Sequence, residues 1–395
     1  MLPAISRRPP ARGAARSSAR PRARFGRRAA LPVVAFLGAP ALEEPPPAAA
    51  AKAPRPAPAA DPAVPPIWLP APASAPAAPR RAAPQSGGHF RRAAPGVLMA
   101  AASSQGGKPG VHAPRGAVLA SQHVASLGVF DGHQGPLTAA YAAQHMPELL
   151  HSALAGHMHA SLSQPAHSCP AGMSEAAVES SFLAFDRWWR DARCDPALTE
   201  TGWDESGATA LVSLVAGDML TVGNAGDGVA LLARGGRAML LSQEHRASNN
   251  ASEIDRVIAA GGRVFRRTPD GPVRVSAPSG IARYRGSMVT RSLGDYAFKH
   301  PAAVISPEPA LASVVLTPAD SLLLVATDGV TDVLQYDDAV AIALLALQQA
   351  LDQTGDGGKA ARAAAAAVAT AALERGSCDN VTAAVMVFDW TACDG

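Results

Sequence analysis

Three aspartates stand at the mouths of apolar, strand-like runs. Leu127-Gly128-Val129-Phe130 leads into Asp131, Leu322-Leu323-Leu324-Val325-Ala326-Thr327 leads into Asp328, and Asp379-Asn380 immediately precedes the run that begins at Val381. One sheet edge would bring all three carboxylates together. Unpaired carboxylates at one place repel, and each resists ionising. A divalent cation removes that conflict, and oxygen donors without clustered Cys or His favour Mg²⁺ or Mn²⁺ over Zn²⁺. Gly132 has no side chain, so its carbonyl can approach a metal closely. His133 comes next, and beside such a cluster it is either a ligand or a general acid. A lone Asp-Gly is ordinarily a tight turn, and Asp218 and Asp270 are read as nothing more. His145, His157, His159 and His245 are read as surface residues.

The positioning elements follow from hydrophobic periodicity. Strands are expected over Ala125–Phe130, Thr209–Val215, Met219–Asn224, Val229–Ala233, Ser321–Ala326 and Val381–Phe388. Helices are expected over Leu137–His157, Ser174–Arg193, Ser252–Ala260, Asp337–Leu351 and Lys359–Arg375, with glycines closing the third and the last. The breaks at Gly217-Asp218 and Gly226-Asp227-Gly228 read as meander turns, the second carrying an Asp-Gly hairpin signal. Strands in hairpins with helices in pairs predict an α+β layered protein with antiparallel sheets. The run Ala363–Ala372 reads as a helical packing surface.

A resemblance now accounts for these residues together. Phe130-Asp131-Gly132-His133-Gln134-Gly135 resembles the opening motif of the metal-dependent protein Ser/Thr phosphatases of type 2C. Further motifs follow in that family's order: Ser206-Gly207-Ala208-Thr209-Ala210, Asn224-Ala225-Gly226-Asp227, Ser242–Arg246 with Glu253 through Gly262, Thr290–Asp295, Ala326–Gly329 with Asp332, and Ser377–Thr382. The matches span roughly residues 100–391 and resemble the plant members. The resemblance implies a four-layer αββα sandwich, two antiparallel β-sheets flanked by helix pairs. It implies two Mg²⁺ or Mn²⁺ ions, with Asp131 bridging them, the Gly132 carbonyl helping to hold one, and Asp328 and Asp379 holding the other. Asp227 would help a weaker third ion. A metal-activated water would attack the phosphorus of a phosphoprotein substrate, and His133 would protonate the departing Ser or Thr oxygen.

The chain also departs from the family pattern. Gly107-Lys108-Pro109-Gly110 fits the frame of an upstream motif, but Ala113 and Pro114 stand where an acid pair is usual. Lys108 would serve as a phosphate-facing cation. Glu244 replaces an Asp, Gln134 a common Gly, and Thr331 a bulky aromatic. Two readings remain open on sequence: an active phosphatase, or a pseudophosphatase that keeps the fold as a binding or regulatory module.

The net charge of +3 divides unevenly. Residues 1–115 hold 17 Lys/Arg against 3 Asp/Glu, and residues 116–395 hold 18 against 29. Since the basic excess lies in the tail, the acidic body argues against nucleic-acid binding. No apolar run of about 18 residues occurs, so no membrane span is expected. The first 30 residues carry nine arginines and no acid. That composition fits an organelle transit peptide, with chloroplast as the expected destination and mitochondrion or cytosol and nucleus as alternatives. Arg27-Arg28 before a mildly apolar stretch offers a secretory reading as well. Residues 1–100 are therefore expected to be a disordered basic targeting segment and Pro/Ala-rich linker, and 101–391 the folded domain. Nothing in the sequence indicates an oligomeric state.

Overall fold

The computed structural model describes residues 33–37, 67–68, 96–104, 115–120, 124–160, 171–193, 204–279 and 285–390, all within the unit Pro32–Gly395. One antiparallel sheet runs β1 (Val33–Leu37), β4 (Arg115–Ala120), β5 (Val124–His133), β6 (Gly207–Ala216), β7 (Met219–Ala225), β13 (Ala310–Val315), with the short β12 (Leu293–Gly294) also on β6. A second runs β3 (Gly96–Ser104), β15 (Val381–Asp389), β14 (Asp320–Ala326), β8 (Val229–Arg234), β9 (Arg237–Leu240). A small third sheet pairs β10 (Arg263–Arg266) with β11 (Arg274–Ser276) and β2 (Ile67–Trp68). Helices α1 (Leu137–Ala160) and α2 (Ala171–Arg193) cover the first sheet, and α6 (Tyr336–Thr354) and α7 (Gly357–Glu374) cover the second. Two short turns of helix, α4 (Tyr296–Lys299) and α5 (Asp328–Thr331), lie between strands and helices, and α3 (Ala251–Ala259) packs on β10.

Strand alternation sorts the core into layers. Leu127, Val129, Leu211, Leu323, Val325, Ala384 and Met386 fill the space between the two main sheets. Their neighbours in sequence point outward. Phe130, Ala210 and Val212 meet Phe182, Phe185 and Trp189 of α2, while Leu322, Leu324, Ala383 and Val385 meet α6 and α7. This is the expected αββα sandwich. The alanine-rich α7 buries Ala360, Ala361, Ala364, Ala365, Ala369 and Ala372 at helical spacing, so small side chains let it lie close on the sheet.

Two readings change. Gly217-Asp218 is a tight hairpin, joining Ala216 to its partner Met219. Gly226-Asp227-Gly228 is not a hairpin, because β7 pairs with β6 and β13 while β8 pairs with β14 and β9. There the chain crosses between sheets, and local turn chemistry cannot distinguish a hairpin from such a crossing. Also, β1, β2 and the start of β3 come from the stretch 1–100 assigned to targeting and linker. They fall where Pro and Ala give way to β-formers, at Val33-Val34-Ala35-Phe36-Leu37, Ile67-Trp68 and Val97-Leu98-Met99. The strand β3 pairs along its whole length with β15, so the folded body begins by Gly96.

Candidate active site

Antiparallel pairing gathers one end of the sandwich. Asp131 lies opposite Thr209 near the C-terminal end of β5, and the crossover bearing Asp227 follows the end of β7. In the second sheet Ala326, at the end of β14, sits opposite both Ala383 of β15 and Val229 of β8. Asp328 and Asp379 flank those ends. Asp131 also continues the row Leu127, Val129 that faces the opposite sheet. Asp131, Gly132, His133, Asp227, Asp328 and Asp379 consequently line one cavity of about 430 Å³, beside Thr209 and Gln134.

The charges in this cavity act on one another. Burial, and then Asp328, Asp227 and Asp379, push the Asp131 carboxyl well above the usual carboxylate range. Burial and Asp227 push Asp328 up to about 7, against the pull of Arg246. Arg246 reaches Asp328 at 2.7 Å, Asp332 at 2.9 Å, Asp227 at 3.1 Å and Glu244 at 3.2 Å. The Asp328 and Asp379 loops are tied together, since Ser377 Oγ donates to the Gly329 carbonyl at 2.6 Å and Thr327 N to the Thr382 carbonyl at 3.1 Å. Among the described residues no three His, Cys, Asp or Glu side chains close into an ion cage as they stand. The donor set still suits a hard divalent cation, because it offers oxygens alone and carboxyls that resist ionising side by side. Arg246 supplies part of the missing positive charge.

His133 is held by a residue to which the sequence reading gave no role. Its Nε2 lies 2.7 Å from Asp295 Oδ2, which also accepts the Ser292 hydroxyl at 2.5 Å. Both partners are placed by the start of β6: His133 lies opposite Gly207 on one side and Gly294 opposite Gly207 on the other. A Cβ on residue 207 would collide with the Asp295 carboxyl and with His133 Nε2, so only glycine leaves room for the pair. Burial alone would depress the imidazole, but Asp295 outweighs it and His133 is raised above its ordinary value. Asp295 is lowered by His133, although burial opposes this.

His245 corrects the surface reading. It is fully buried, its Nδ1 lies 3.3 Å from Gly226 N and 3.1 Å from Gly226 O, and burial lowers it to about 4. Its role is to pin the crossover that carries Asp227. Gln134 has a left-handed backbone (φ 57°), the physical reason a glycine is common there. Lys108, Ala113 and Pro114 lie outside the described residues.

The family model for protein phosphatase 2C matches residues 110–381. The chain belongs to the protein phosphatase 2C family. A rice protein described as probable protein phosphatase 2C 47 is 36% identical over 228 residues, 57% of this chain and 52% of its own. Mouse probable protein phosphatase 1N is 30% identical over 270 residues, 67% of this chain and 57% of its own. An Arabidopsis thaliana protein kinase and PP2C-like domain-containing protein is 31% identical over 258 residues, 65% of this chain but 34% of its own. The chain thus spans from about a third to under two thirds of the length of these curated relatives. Among solved structures, a serine-threonine phosphatase 2C from Toxoplasma gondii shares the fold at 20% identity and a TM-score of 0.60, covering 75% of this chain and 98% of that one. A C. elegans sex determining protein does so at 24% and 0.57, covering 74% and 65%. In phosphatase 2C terms, the resemblance pointed to Asp131, His133 and their partners directly. It contained Asp295 and Arg246 within quoted motifs, but only the tertiary contacts give them roles.

Proposed function

We propose that this protein is a metal-dependent protein Ser/Thr phosphatase acting on phosphoserine and phosphothreonine in phosphoproteins. The observation that carries the proposal is the convergence of Asp131, Asp227, Asp328 and Asp379 with the His133–Asp295 pair on one cavity. Mg²⁺ or Mn²⁺ would be held by Asp131, the Gly132 carbonyl, Asp328 and Asp379, with Asp227 helping a weaker third ion and Lys108 facing the phosphate. When bound, such cations neutralise the carboxylates, polarise a phosphoryl group and activate water. The chain's own residues do the rest. Asp295 fixes the imidazole of His133 through Nε2 and favours its protonated form. Nδ1 is then left to donate a proton to the departing Ser or Thr oxygen. The replacement of the usual acid pair by Ala113 and Pro114 is the one feature on the side of an inert binding module, and the retention of Asp131, His133, Asp328 and Asp379 weighs against it.

The test uses the full chain with p-nitrophenyl phosphate and a phosphothreonine peptide in millimolar Mn²⁺. Metal-stimulated turnover, abolished in Asp328→Asn, is expected; turnover no greater than that of the variant would reject the enzyme. Chloroplast targeting by the Arg-rich first 30 residues belongs to the same proposal. Residues 1–100 fused to a fluorescent protein should collect in plastids of plant cells, and a diffuse cytosolic signal would refute it.

A further inference from the structure

The cavity that holds the acids has a second wall of opposite sign. Arg267, Arg274 and Arg285 line it together with the segment Gly286–Val289. Arg285 is already engaged. It forms an ion pair with Glu205 and donates to Gln134 Oε1 at 2.9 Å, which fastens this segment to the turn after His133. Arg274 is anchored by its guanidinium. Its Nη1 donates to the Gly286 carbonyl at 2.8 Å, and a Cβ on residue 286 would press on the Arg274 side chain and clash with Phe265. Arg267 is exposed.

Arg267 and Arg274 differ from the cations that brace the surrounding loops. Arg246, Arg256, Arg291 and Lys299 each have a carboxylate partner at 3.2 Å or less. Among the described residues neither Arg267 nor Arg274 has an ion-pair partner. They line the same cavity, and burial, and then the charge of Arg267, lowers the Arg274 guanidinium. Two like charges held together without a counter-ion are unfavourable unless an anion arrives. Two acids of the cavity, Asp328 and Asp227, are bonded to Arg246 instead.

We infer that Arg267 and Arg274 form a specificity rim that selects phosphoproteins carrying an Asp or Glu beside the phosphorylated residue. This rests on the phosphatase reading of the same cavity. The reacting phosphate would enter at the acid end, and the flanking carboxylate would neutralise the arginine pair at the rim. Such recognition acts through charge complementarity in a partly solvated groove, so it is salt-sensitive and tuned by single charges.

The experiment measures kcat/KM of the full chain in Mn²⁺ on three phosphothreonine peptides that differ only in flanking Asp, Asn or Lys, with p-nitrophenyl phosphate alongside. The Asp peptide should lead the Lys peptide by about 10-fold, shrinking as salt rises. Arg267→Gln should lower the Asp peptide about 5-fold more than p-nitrophenyl phosphate. Arg267→Glu should turn the preference toward the Lys peptide. Arg267 is exposed, so these variants are expected to fold, and Arg274→Lys, which keeps the charge, should retain the preference. Turnover of every substrate without flank preference would overturn the inference and leave the phosphatase standing. An equal loss on all substrates in Arg267→Gln would also overturn it, by showing that the arginine grips the reacting phosphate. No metal-stimulated turnover of anything would reject the phosphatase and the rim with it.

Discussion

At the scale of single residues, the site depends on how His133 is held. Asp295 raises its basicity and, in the proposed reaction, leaves one ring nitrogen for proton donation, which would make Asp295 a positioning residue. Asp295→Asn is expected to lower kcat about 10–100-fold with little change in KM. In the proposed reaction His133 must be protonated to act as the acid, and losing the Asp295 charge lowers its pKa. The alkaline limb of the kcat profile should therefore move to lower pH, and an unmoved limb would assign that limb to another group. Gly207→Ala should imitate the effect without touching a charge, because its methyl occupies the space of the pair. The glycine and the aspartate are both visible in the sequence motifs. Their meeting is not, since it depends on β5 and β12 both taking register from the first residue of β6.

At the scale of elements, α3 is tied to the segment behind the site by one buried acid. Glu253 accepts from Arg291 at 2.7 Å, Thr290 Oγ1 at 2.9 Å and Arg256 at 3.0 Å, while Asn250 caps the helix through Glu253 N. Burial opposes ionisation of Glu253, but the Arg291 and Arg256 hydrogen bonds overcome it and lower the carboxyl to about 2. A depressed carboxyl stabilises the fold above its unfolded value, and that contribution disappears as pH falls from about 4.5 toward 2. It amounts to roughly 3 kcal/mol. His245 acts earlier in the same direction. Its proton is accepted readily only when unfolded, so stability falls between about 6.5 and 4. Acid unfolding followed in urea should show both windows, and Glu253→Gln should remove the lower one while extending the upper one to lower pH, because the Glu253 charge raises His245. The helix was legible from its period and its closing glycines. The network was not, because Thr290 and Arg291 lie more than thirty residues away in sequence.

At the scale of the whole molecule, the acid cluster sets a balance between stability and cation binding. Asp131 and Asp328 are raised, so the folded protein retains protons that the unfolded chain releases. With cations withheld, their contribution weakens as pH rises from the usual carboxylate range through about 7. A divalent cation replaces those protons and restores the loss. The rise in Tm on adding Mn²⁺ should thus be larger at pH 8 than at pH 6, and Asp328→Asn should reduce that difference. An equal rise at both pH values would mean that these carboxyls are not the ligands.

The sequence by itself determined an α+β layered protein with antiparallel sheets, through strand alternation and helix pairing, while the αββα order came from the resemblance; it named the three acids because each stands at the mouth of an apolar strand, two after it and Asp379 before it. Those signals are local and periodic. The tertiary structure alone decided that Gly226-Asp227-Gly228 crosses between sheets, that His245 is buried, that Asp295 grips His133, that Arg246 spans Asp227, Asp328 and Asp332, and that two arginines face the cavity without a counter-ion. Each of these is a pairing between distant segments, set by register and packing rather than by the residues on either side.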